Sequence, residues 1–462
     1  MTAPLARRFT LAVALALASA PLAAADAVAA PGSAARMAAW GEDLDVARDE
    51  FLPRDRSYSS RARADAAQRL QRLRERIGRL DDVEIAGELA RIAALAGNAH
   101  TRLYLLRNRG HWRRYPLRIW RFADGWRVVA AQREAEALLG ARLTHVAGRP
   151  IETVFARLRP LFAGSRGWAR YMGSYTLTSP DALHAAGLAG RDGRAEFRFE
   201  PQGAGRSLVL SPSAFERRES VEESWWYLSP ARDVGAGWRH AIESARLPEA
   251  LRGASLDYRF LRCAGEVVYV QFNRAADAPG TETVAAWGER LLREIGERPP
   301  RRLVFDLRFN TGGDLTKAGP LVEALAASPL GRDAGRIVVL AGESTFSAGI
   351  TPLAVLRGTS AAIVVGRAPG DGTDFWAEGG NVVLPNSRLV LHYADGLHSY
   401  SGRARAAGIA EHVALGLDVA DLEPDVAVRW TGTDYAAGRD ADVEAALGAP
   451  LHCDPTERVP PR

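Results

Sequence analysis

The chain has 462 residues, of which 47% are hydrophobic and 25% are charged. This composition excludes a disordered or fibrous protein and allows two or three compact units with buried cores. The 60 basic and 55 acidic residues leave a net charge of +5, and the basic residues are scattered, so no nucleic-acid-binding patch is indicated. Only Lys317 among the basic residues is a lysine. A mechanism with a lysine base must therefore use Lys317.

Residues 1–25 are predicted to be a secretory signal peptide. Two arginines precede an apolar run over 9–20, and small residues over 21–25 provide a cleavage site. The apolar run is shorter than the about 20 residues that span a bilayer, and no later run is long enough. We therefore expect a periplasmic or secreted protein without a membrane span. In that compartment Cys263 and Cys453 could form a disulfide, although two reduced thiols fit the sequence equally well.

Apolar residues at three- and four-residue spacing predict helices over 35–96, which Gly97-Asn98 would end. Asp124-Gly125 is typical of a hairpin turn, and Trp225-Trp226-Tyr227 is predicted to be a buried or groove-lining aromatic cluster. Strands are predicted over 101–106, 117–122, 126–131, 195–199 and 207–210.

From Cys263 onward the pattern changes to alternating strands and helices. Strands rich in Val and Ile are predicted over 267–272, 302–307, 337–340 and 363–365, and helices over 281–295, 315–327 and 347–356. This alternation predicts an α/β fold with crossover units on a parallel or mixed sheet. A catalytic site is expected where the strands end and their helices begin.

Two of these strand ends carry candidate chemistry. Gly312-Gly313 follows one strand, where bare backbone N–H groups could hold an oxyanion, although an ordinary tight turn also fits. Ser347 follows the next strand at a helix start and could be a nucleophile, although Ser347 or Thr351 could simply cap the helix.

A serine nucleophile needs a base, and His100 is one of nine histidines. The residues alone do not choose between His100 and the other histidines, which are His111, His145, His184, His240, His392, His398, His412 and His452.

Several motifs resemble those of the S41 peptidases, the family of carboxyl-terminal processing proteases and the tricorn core. The segment 306–313, which ends in Asn-x-Gly-Gly, the Thr-Phe-Ser-Ala of 345–348 and the Val-Val-Gly of 364–366 carry the resemblance. The segment 97–101 is similar to the family's Asp-Gly-His-Thr element, and 422–426 is similar to its Pro-Asp element.

The resemblance covers roughly residues 90–445 and implies a crotonase/ClpP-like α/β core with an N-terminal helical segment and a degenerate PDZ-like β module near 140–151. The predicted organisation is a signal peptide over 1–25, a helical segment over 26–112, a β-rich region over 113–255, the catalytic domain over 256–448 and a tail over 449–462.

The lysine count separates the two catalytic forms of this family. In the Ser–Lys form a lysine follows the serine by about two dozen residues, whereas no lysine follows Ser347 and Gly370-Asp371-Gly372-Thr373 stands in that region. The resemblance therefore implies the tricorn-like form, with Ser347 as nucleophile and His100 as general base. It also implies an oxyanion hole made by the Ala348 N–H and the Gly312 or Gly313 N–H.

The acid that would orient the histidine has two candidates. Glu378 is preferred, because apolar and glycine neighbours would hold it rigidly, and Asp418 is the alternative. No cofactor and no metal site are expected, since no pair of histidines or cysteines has ligand spacing.

These observations predict an exported serine-type peptidase that acts on peptides or proteins and leave its oligomeric state open. One alternative is a different serine hydrolase that uses Ser347, Glu378 and His398 in the chain order of α/β-hydrolases. Another is a catalytically inactive member that binds peptides or apolar ligands, with groove walls formed by Trp225, Trp226 and Trp376.

Overall fold

The structure is a computed structural model that describes residues 32–107, 111–200, 206–212, 222–277, 280–412 and 415–453. The predicted signal peptide and the last nine residues of the predicted tail lie outside these ranges. No helix in the described ranges is both long and apolar enough to cross a membrane.

The N-terminal segment is helical, as its spacing of apolar residues predicts. Asp81 and Glu84 form a capping box that starts the fourth helix, and Gly97, with φ of +70°, turns the chain after its end. The elements are α1 (Ala34–Val46), a π-helical turn (Ala47–Phe51), α2 (Leu52–Arg54), α3 (Ser60–Arg74), α4 (Asp82–Ala94) and the short strand β1 (Arg102–Leu103).

The middle region is built on an antiparallel sheet in the order β2-β3-β4-β6-β7, with β5 beside β4 and β8 beside β3. The predicted hairpins are present. The strands are β2 (Leu117–Phe122), β3 (Gly125–Ala131), β4 (Arg142–Val146), β5 (Arg149–Pro150), β6 (Ala195–Glu200), β7 (Arg206–Leu210) and β8 (Arg239–His240). The helices are α5 (Ile151–Leu158), α6 (Arg166–Thr176), α7 (Pro180–Ala185) and α8 (Glu249–Arg252).

The C-terminal region has the predicted α/β alternation. Its strands are β9 (Tyr258–Cys263), β10 (Val267–Phe272), β11 (Arg302–Asp306), β12 (Ile337–Ala341), β13 (Ile363–Gly366), β14 (Asp374–Ala377), β15 (Gly380–Val383), β16 (Val390–Tyr393), β17 (Gly396–Ser399) and β18 (Val426–Ala427). Its helices are α9 (Val284–Glu297), α10 (Gly319–Ala327), α11 (Pro329–Arg332), α12 (Ile350–Thr359), α13 (Arg403–Ala406), α14 (Gly432–Ala437) and α15 (Ala441–Leu447).

Six of these strands form the main sheet, in the order β18-β13-β12-β11-β10-β9. Only β9 runs antiparallel to its neighbour, so the other five strands direct their carboxyl ends to the same edge. Alternate residues of β11 pack on opposite faces: Leu303 and Phe305 lie in the cluster under α9, α10 and α12, and Val304 lies against α15. Burial of both faces explains why these strands are almost entirely apolar.

A smaller three-stranded sheet joins the N-terminal segment to the C-terminal region. Its order is β1-β16-β15, and β1 pairs with β16 at two positions, Arg102 with His392 and Leu103 with Leu391. The strand predicted over 101–106 is shorter in the structure, because β16 pairs with it at only these two positions. This pairing fixes the chain just after His100 against the C-terminal region.

A disulfide joins Cys263, at the end of the edge strand β9, to Cys453. The bond closes a loop with a sequence separation of 190 residues that contains five of the six strands of the main sheet, all except β9. Closing so long a loop restricts the unfolded chain and so stabilises the folded one.

We expect that Cys453→Ser will lower the free energy of unfolding by about 2–5 kcal/mol, because the unfolded chain regains the entropy of the open loop. Denaturant unfolding of the oxidised protein, the reduced protein and the variant measures this difference. Reduction should destabilise the wild type and leave Cys453→Ser unchanged. Equal stability of oxidised and reduced wild type would contradict the prediction.

Candidate active site

The candidate site lies at the edge of the main sheet where β11, β12 and β13 end. The Gly312-Gly313 turn follows β11, Ser347 follows β12 and a loop containing Asp371 follows β13. Parallel pairing of these three strands brings their carboxyl ends together. The sheet therefore assembles in one place side chains that are about 60 residues apart in sequence.

Ser347 is held in a strained conformation at the start of the helix. The preceding loop is fixed by the Thr345 hydroxyl, which donates to the Leu307 carbonyl at 2.8 Å, and by the Phe346 N–H, which donates to the Asn310 carbonyl at 2.9 Å. Ser347 itself has a φ of +56°, which is unusual for a residue other than glycine. Such strain persists where the surrounding structure enforces it, and it is common at catalytic residues.

The Ser347 side chain is not a helix cap. The short 3₁₀ turn over Ser347–Gly349 and the helix α12 both begin without a side-chain capping hydrogen bond. The Thr351 hydroxyl is paired with the Tyr400 hydroxyl at 2.8 Å instead. The Ser347 hydroxyl is half-buried and has no hydrogen-bond partner among the described residues, so it is available for chemistry.

The Gly312-Gly313 turn packs directly against the serine. A Cβ atom on Gly312 would lie 2.8 Å from the Ser347 Cβ, and one on Gly313 would lie 2.2 Å from the Ala275 carbonyl oxygen. Both glycines also have a φ above +100°, so other residues are excluded on two grounds. Asn310 organises the turn: its side-chain nitrogen donates to the Phe272 carbonyl, and its side-chain oxygen accepts from the Gly312 N–H at 3.0 Å.

This arrangement distinguishes the predicted oxyanion donors. The Gly312 N–H is already used by Asn310. The Gly313 and Ala348 N–H groups have no hydrogen-bond acceptor among the described residues. The turn therefore leaves Gly313 and Ala348, rather than Gly312, to bind an oxyanion.

Asp371 lies between the serine and the histidine. Its Oδ2 atom accepts the Ser347 N–H at 3.1 Å and contacts His100 Nε2 at 3.2 Å. The loop that carries it is fixed on both sides, because the Gly370 N–H donates to the Thr345 carbonyl at 2.7 Å and the Ser165 hydroxyl donates to the Gly370 carbonyl at 2.7 Å. The Asp371 side chain is 5% exposed, so water does not replace these contacts.

His100 reaches this site from the N-terminal segment. The next residue, Thr101, donates its hydroxyl to Asp55 Oδ2 at 2.6 Å, and that oxygen also accepts the Ala394 N–H at 2.9 Å. The imidazole stacks between two phenylalanine rings, with centroid distances of 4.5 Å to Phe346 and 5.5 Å to Phe375. The backbone anchor and the two rings fix the position and the plane of the imidazole.

Burial lowers the pKa of His100, and the nearby Asp371 carboxylate opposes this shift without cancelling it. The imidazole is therefore neutral near pH 7 and can accept a proton. Because Nε2 faces Asp371, the other ring nitrogen, Nδ1, is free of hydrogen bonds to the described residues.

The structure differs from the sequence prediction for the acid. Glu378 Oε1 contacts His398 Nε2 at 3.0 Å, and this hydrogen bond lowers the pKa of Glu378. The Phe375 ring stacks on His398 as well as on His100, so it separates the Glu378–His398 pair from the site. Asp418 is exposed and, like Glu378, forms no hydrogen bond to His100 in the described part of the chain.

Asp371 is not one of the two acids predicted from the sequence, although its spacing from Ser347 is a signal for it. It lies 24 residues after Ser347, in the segment where the Ser–Lys form has its lysine. Lys317, the single lysine, is on the surface, where its Nζ pairs with Asp277 Oδ2 at 2.6 Å. A charged residue at the expected spacing was therefore present, but of the opposite sign.

Asp81, Glu84 and His184 form a group of ligand-type side chains elsewhere in the described structure. Asp81 and Glu84 form the capping box of α4, and Asp81 also pairs with His184 and Arg191. These protein contacts already use the carboxylates, so the group serves to join α4 to the segment around α7.

Comparisons with known proteins show the fold. No protein-family profile and no curated protein matches the chain. The structure of mature CPAF complexed with lactacystin matches with a TM-score of 0.53 at 13% identity, over 89% of this chain and 96% of that one. The tricorn protease matches with a TM-score of 0.37 at 13% identity, over 89% of this chain and 36% of that one.

The photosystem II D1 C-terminal processing protease matches with a TM-score of 0.36 at 14% identity, over 86% of this chain and 93% of that one. The match to CPAF extends over nearly the whole of both chains, so the α/β fold predicted from the sequence is confirmed. The chain shares the fold of mature CPAF.

We expect Asp371→Asn to lower kcat about 10²- to 10⁴-fold, because an amide neither fixes the imidazole tautomer nor stabilises the imidazolium as the carboxylate does. Glu378→Gln should change kcat less than tenfold, since its partner is His398. Steady-state kinetics of both variants, with thermal unfolding as a check on folding, measures the difference. A larger loss in Glu378→Gln than in Asp371→Asn would return the role to Glu378.

The pH dependence of kcat/KM should rise with pH and level off, because only the neutral imidazole accepts a proton. Since burial lowers the pKa of His100, the inflection is expected below the ordinary value of about 6.5. The negative charge of Asp371 raises the pKa of His100. Its removal in Asp371→Asn should therefore move the inflection to still lower pH. An inflection above 6.5, or no displacement in the variant, would contradict this assignment.

Proposed function

We propose that the protein is a serine-type peptidase of the histidine-dependent form, with Ser347 as nucleophile, His100 as general base and Asp371 as the acid that positions the histidine. The observation that carries this proposal is the single Asp371 Oδ2 atom shared by the Ser347 N–H and His100 Nε2. In this proposal the shared oxygen links the base to a strained, half-buried serine and supports the base with a buried carboxylate. The predicted signal peptide makes export part of the same proposal.

In the proposed reaction, the Ser347 oxygen attacks the carbonyl carbon of a peptide bond while the His100 imidazole takes the hydroxyl proton. Asp371 stabilises the resulting imidazolium through Nε2. The carbonyl oxygen gains a negative charge, and the Gly313 and Ala348 N–H groups bind it. The imidazolium then gives its proton to the leaving amine as the carbon–nitrogen bond breaks.

The second half of the reaction uses the same groups. A water molecule replaces the amine, gives a proton to His100 and attacks the acyl carbon, and the imidazolium returns that proton to the Ser347 oxygen as the ester breaks. A lysine base does not fit the site, because the one lysine is paired with Asp277 on the surface.

The hydrolase alternative with Ser347, Glu378 and His398 has less support. Glu378 and His398 are paired, but the Phe375 ring lies between His398 and His100.

The binding alternative uses Trp225 as a groove wall. The Trp225 side chain is buried and its ring stacks on Phe309 with a centroid distance of 5.0 Å, and Tyr227 is also buried. These aromatic side chains belong to the core.

The nucleophile is tested with a fluorophosphonate probe and a fluorescent casein substrate. Ser347→Ala should lose labelling and hydrolysis, and His100→Ala should lose at least 10³-fold in both rates, as expected when a triad member is removed. Ser255→Ala, an exposed serine outside the site, is the matched control for Ser347→Ala.

Labelling of Ser347→Ala as fast as the wild type would refute the serine assignment. Loss of labelling in His398→Ala with normal labelling of His100→Ala would favour the α/β-hydrolase arrangement. Labelling without hydrolysis of casein or of peptides would refute the peptidase activity and leave a serine hydrolase.

A further inference from the structure

A narrow apolar pocket opens beside the candidate site. It is lined by Ala99 and Arg102, which flank His100 in sequence, and by Trp168. The Trp168 ring stacks on Phe346 with a centroid distance of 3.8 Å, and Phe346 immediately precedes Ser347. The pocket is therefore adjacent to both the proposed base and the proposed nucleophile. Its remaining walls are mostly apolar and include Leu106, Trp112, Phe162 and Met172.

Two arginines line this pocket, and only one of them has an ion-pair partner among the described residues. Arg107 is buried and paired with Glu223 through two hydrogen bonds of 2.9 and 2.6 Å. Arg102 forms no ion pair or hydrogen bond through its side chain with any described residue, and its Nε and Nη1 atoms are buried without a partner. Its guanidinium instead lies over the Tyr104 ring, 4.9 Å from the centroid.

Buried N–H groups of a charged side chain are costly to leave without acceptors, so proteins rarely retain them unless water or a ligand supplies the acceptors. The planar guanidinium of arginine matches the two oxygens of a carboxylate and binds them through parallel hydrogen bonds. The surrounding walls are mostly apolar, and a surrounding of low polarity strengthens such a pair. A carboxylate is the group that would satisfy Arg102 and fit within a peptidase site.

We propose that Arg102 is a specificity residue that binds a carboxylate of the substrate, supplied either by an acidic side chain near the scissile bond or by a free carboxyl terminus. This inference rests on the proposed peptidase function and adds the substrate class to it. Because Arg102 is two residues from His100, the bound carboxylate fixes the substrate close to the reacting atoms. Substrates with the carboxylate neutralised are bound without this contact and are cleaved more slowly.

The test uses dye-labelled alanine-based hexapeptides in which one position at a time is Glu or Gln, each made as the free acid and as the amide. The measured quantity is the ratio of kcat/KM for each charged peptide to that for its neutral counterpart. We expect a ratio of about 10 to 100 for the wild type at one position or at the carboxyl terminus, as for a charge-assisted hydrogen-bonded pair. The Glu/Gln pairs and the acid/amide pairs distinguish the two sources.

Arg102→Met should bring this ratio close to one, and Arg102→Lys should restore part of it because the positive charge returns without the planar fork. Arg56→Met is the matched control, since Arg56 is also an arginine stacked on an aromatic ring, Trp376, but is exposed and outside the pocket. The control should keep the wild-type ratio. Thermal unfolding of each variant separates a loss of specificity from a loss of folding.

The same peptides are titrated into Ser347→Ala by fluorescence anisotropy, so that binding is measured without hydrolysis. Charge-dependent binding to Ser347→Ala that is lost in the double variant with Arg102→Met supports the carboxylate site. This holds even if the wild type cleaves none of the peptides, because that result would refute only the peptidase function. Cleavage by the wild type with equal rates for charged and neutral peptides would overturn the carboxylate site and leave the peptidase. A charge preference that survives in Arg102→Met would also overturn it.

Discussion

The Oδ2 atom of Asp371 is the point where three separate parts of the chain meet. It accepts the N–H of Ser347 from the loop after β12, it contacts the imidazole of His100 from the N-terminal segment, and it belongs to the loop after β13. A buried carboxylate is stable only when its hydrogen-bonding capacity is used. The serine N–H and the imidazole therefore stabilise the carboxylate of Asp371, and the carboxylate positions both of them. These hydrogen bonds form only when the loops around the sheet edge converge.

The positive φ of Ser347 is maintained by this convergence. The loop before the serine is bonded to the strand end after β11, the Gly-Gly turn is bonded through Asn310, and the Asp371 loop is bonded to Thr345. The first and the third of these bonds link chain segments that leave neighbouring parallel strands. The rigid sheet thereby restrains the loops, and the strained backbone of Ser347 is kept in one conformation without support from a ligand.

The histidine depends on a second set of contacts, because it is supplied by a different region. Asp55 and the β1–β16 pairing anchor the chain around His100. Glu223, from the middle region, pairs with Arg107 and also accepts the Thr311 hydroxyl at 3.0 Å, so it connects the His100 side of the site to the Gly-Gly turn. The regions are thus joined by buried charges whose separation would leave each of them uncompensated.

The sequence by itself determined the strands β10 to β13, the turn that needs two glycines, the serine at a strand end and the presence of a single lysine, because these depend on local periodicity, backbone sterics and composition. It also pointed to His100, through a motif resemblance.

Only the tertiary structure decided which acid contacts that histidine. Asp371 and His100 are 271 residues apart in sequence, and their contact depends on the paths of two loops. Glu378 has a suitable chemistry and neighbourhood, but it faces His398 on the far side of the Phe375 ring. Direction and distance in space, which local sequence patterns do not encode, separated the two carboxylates.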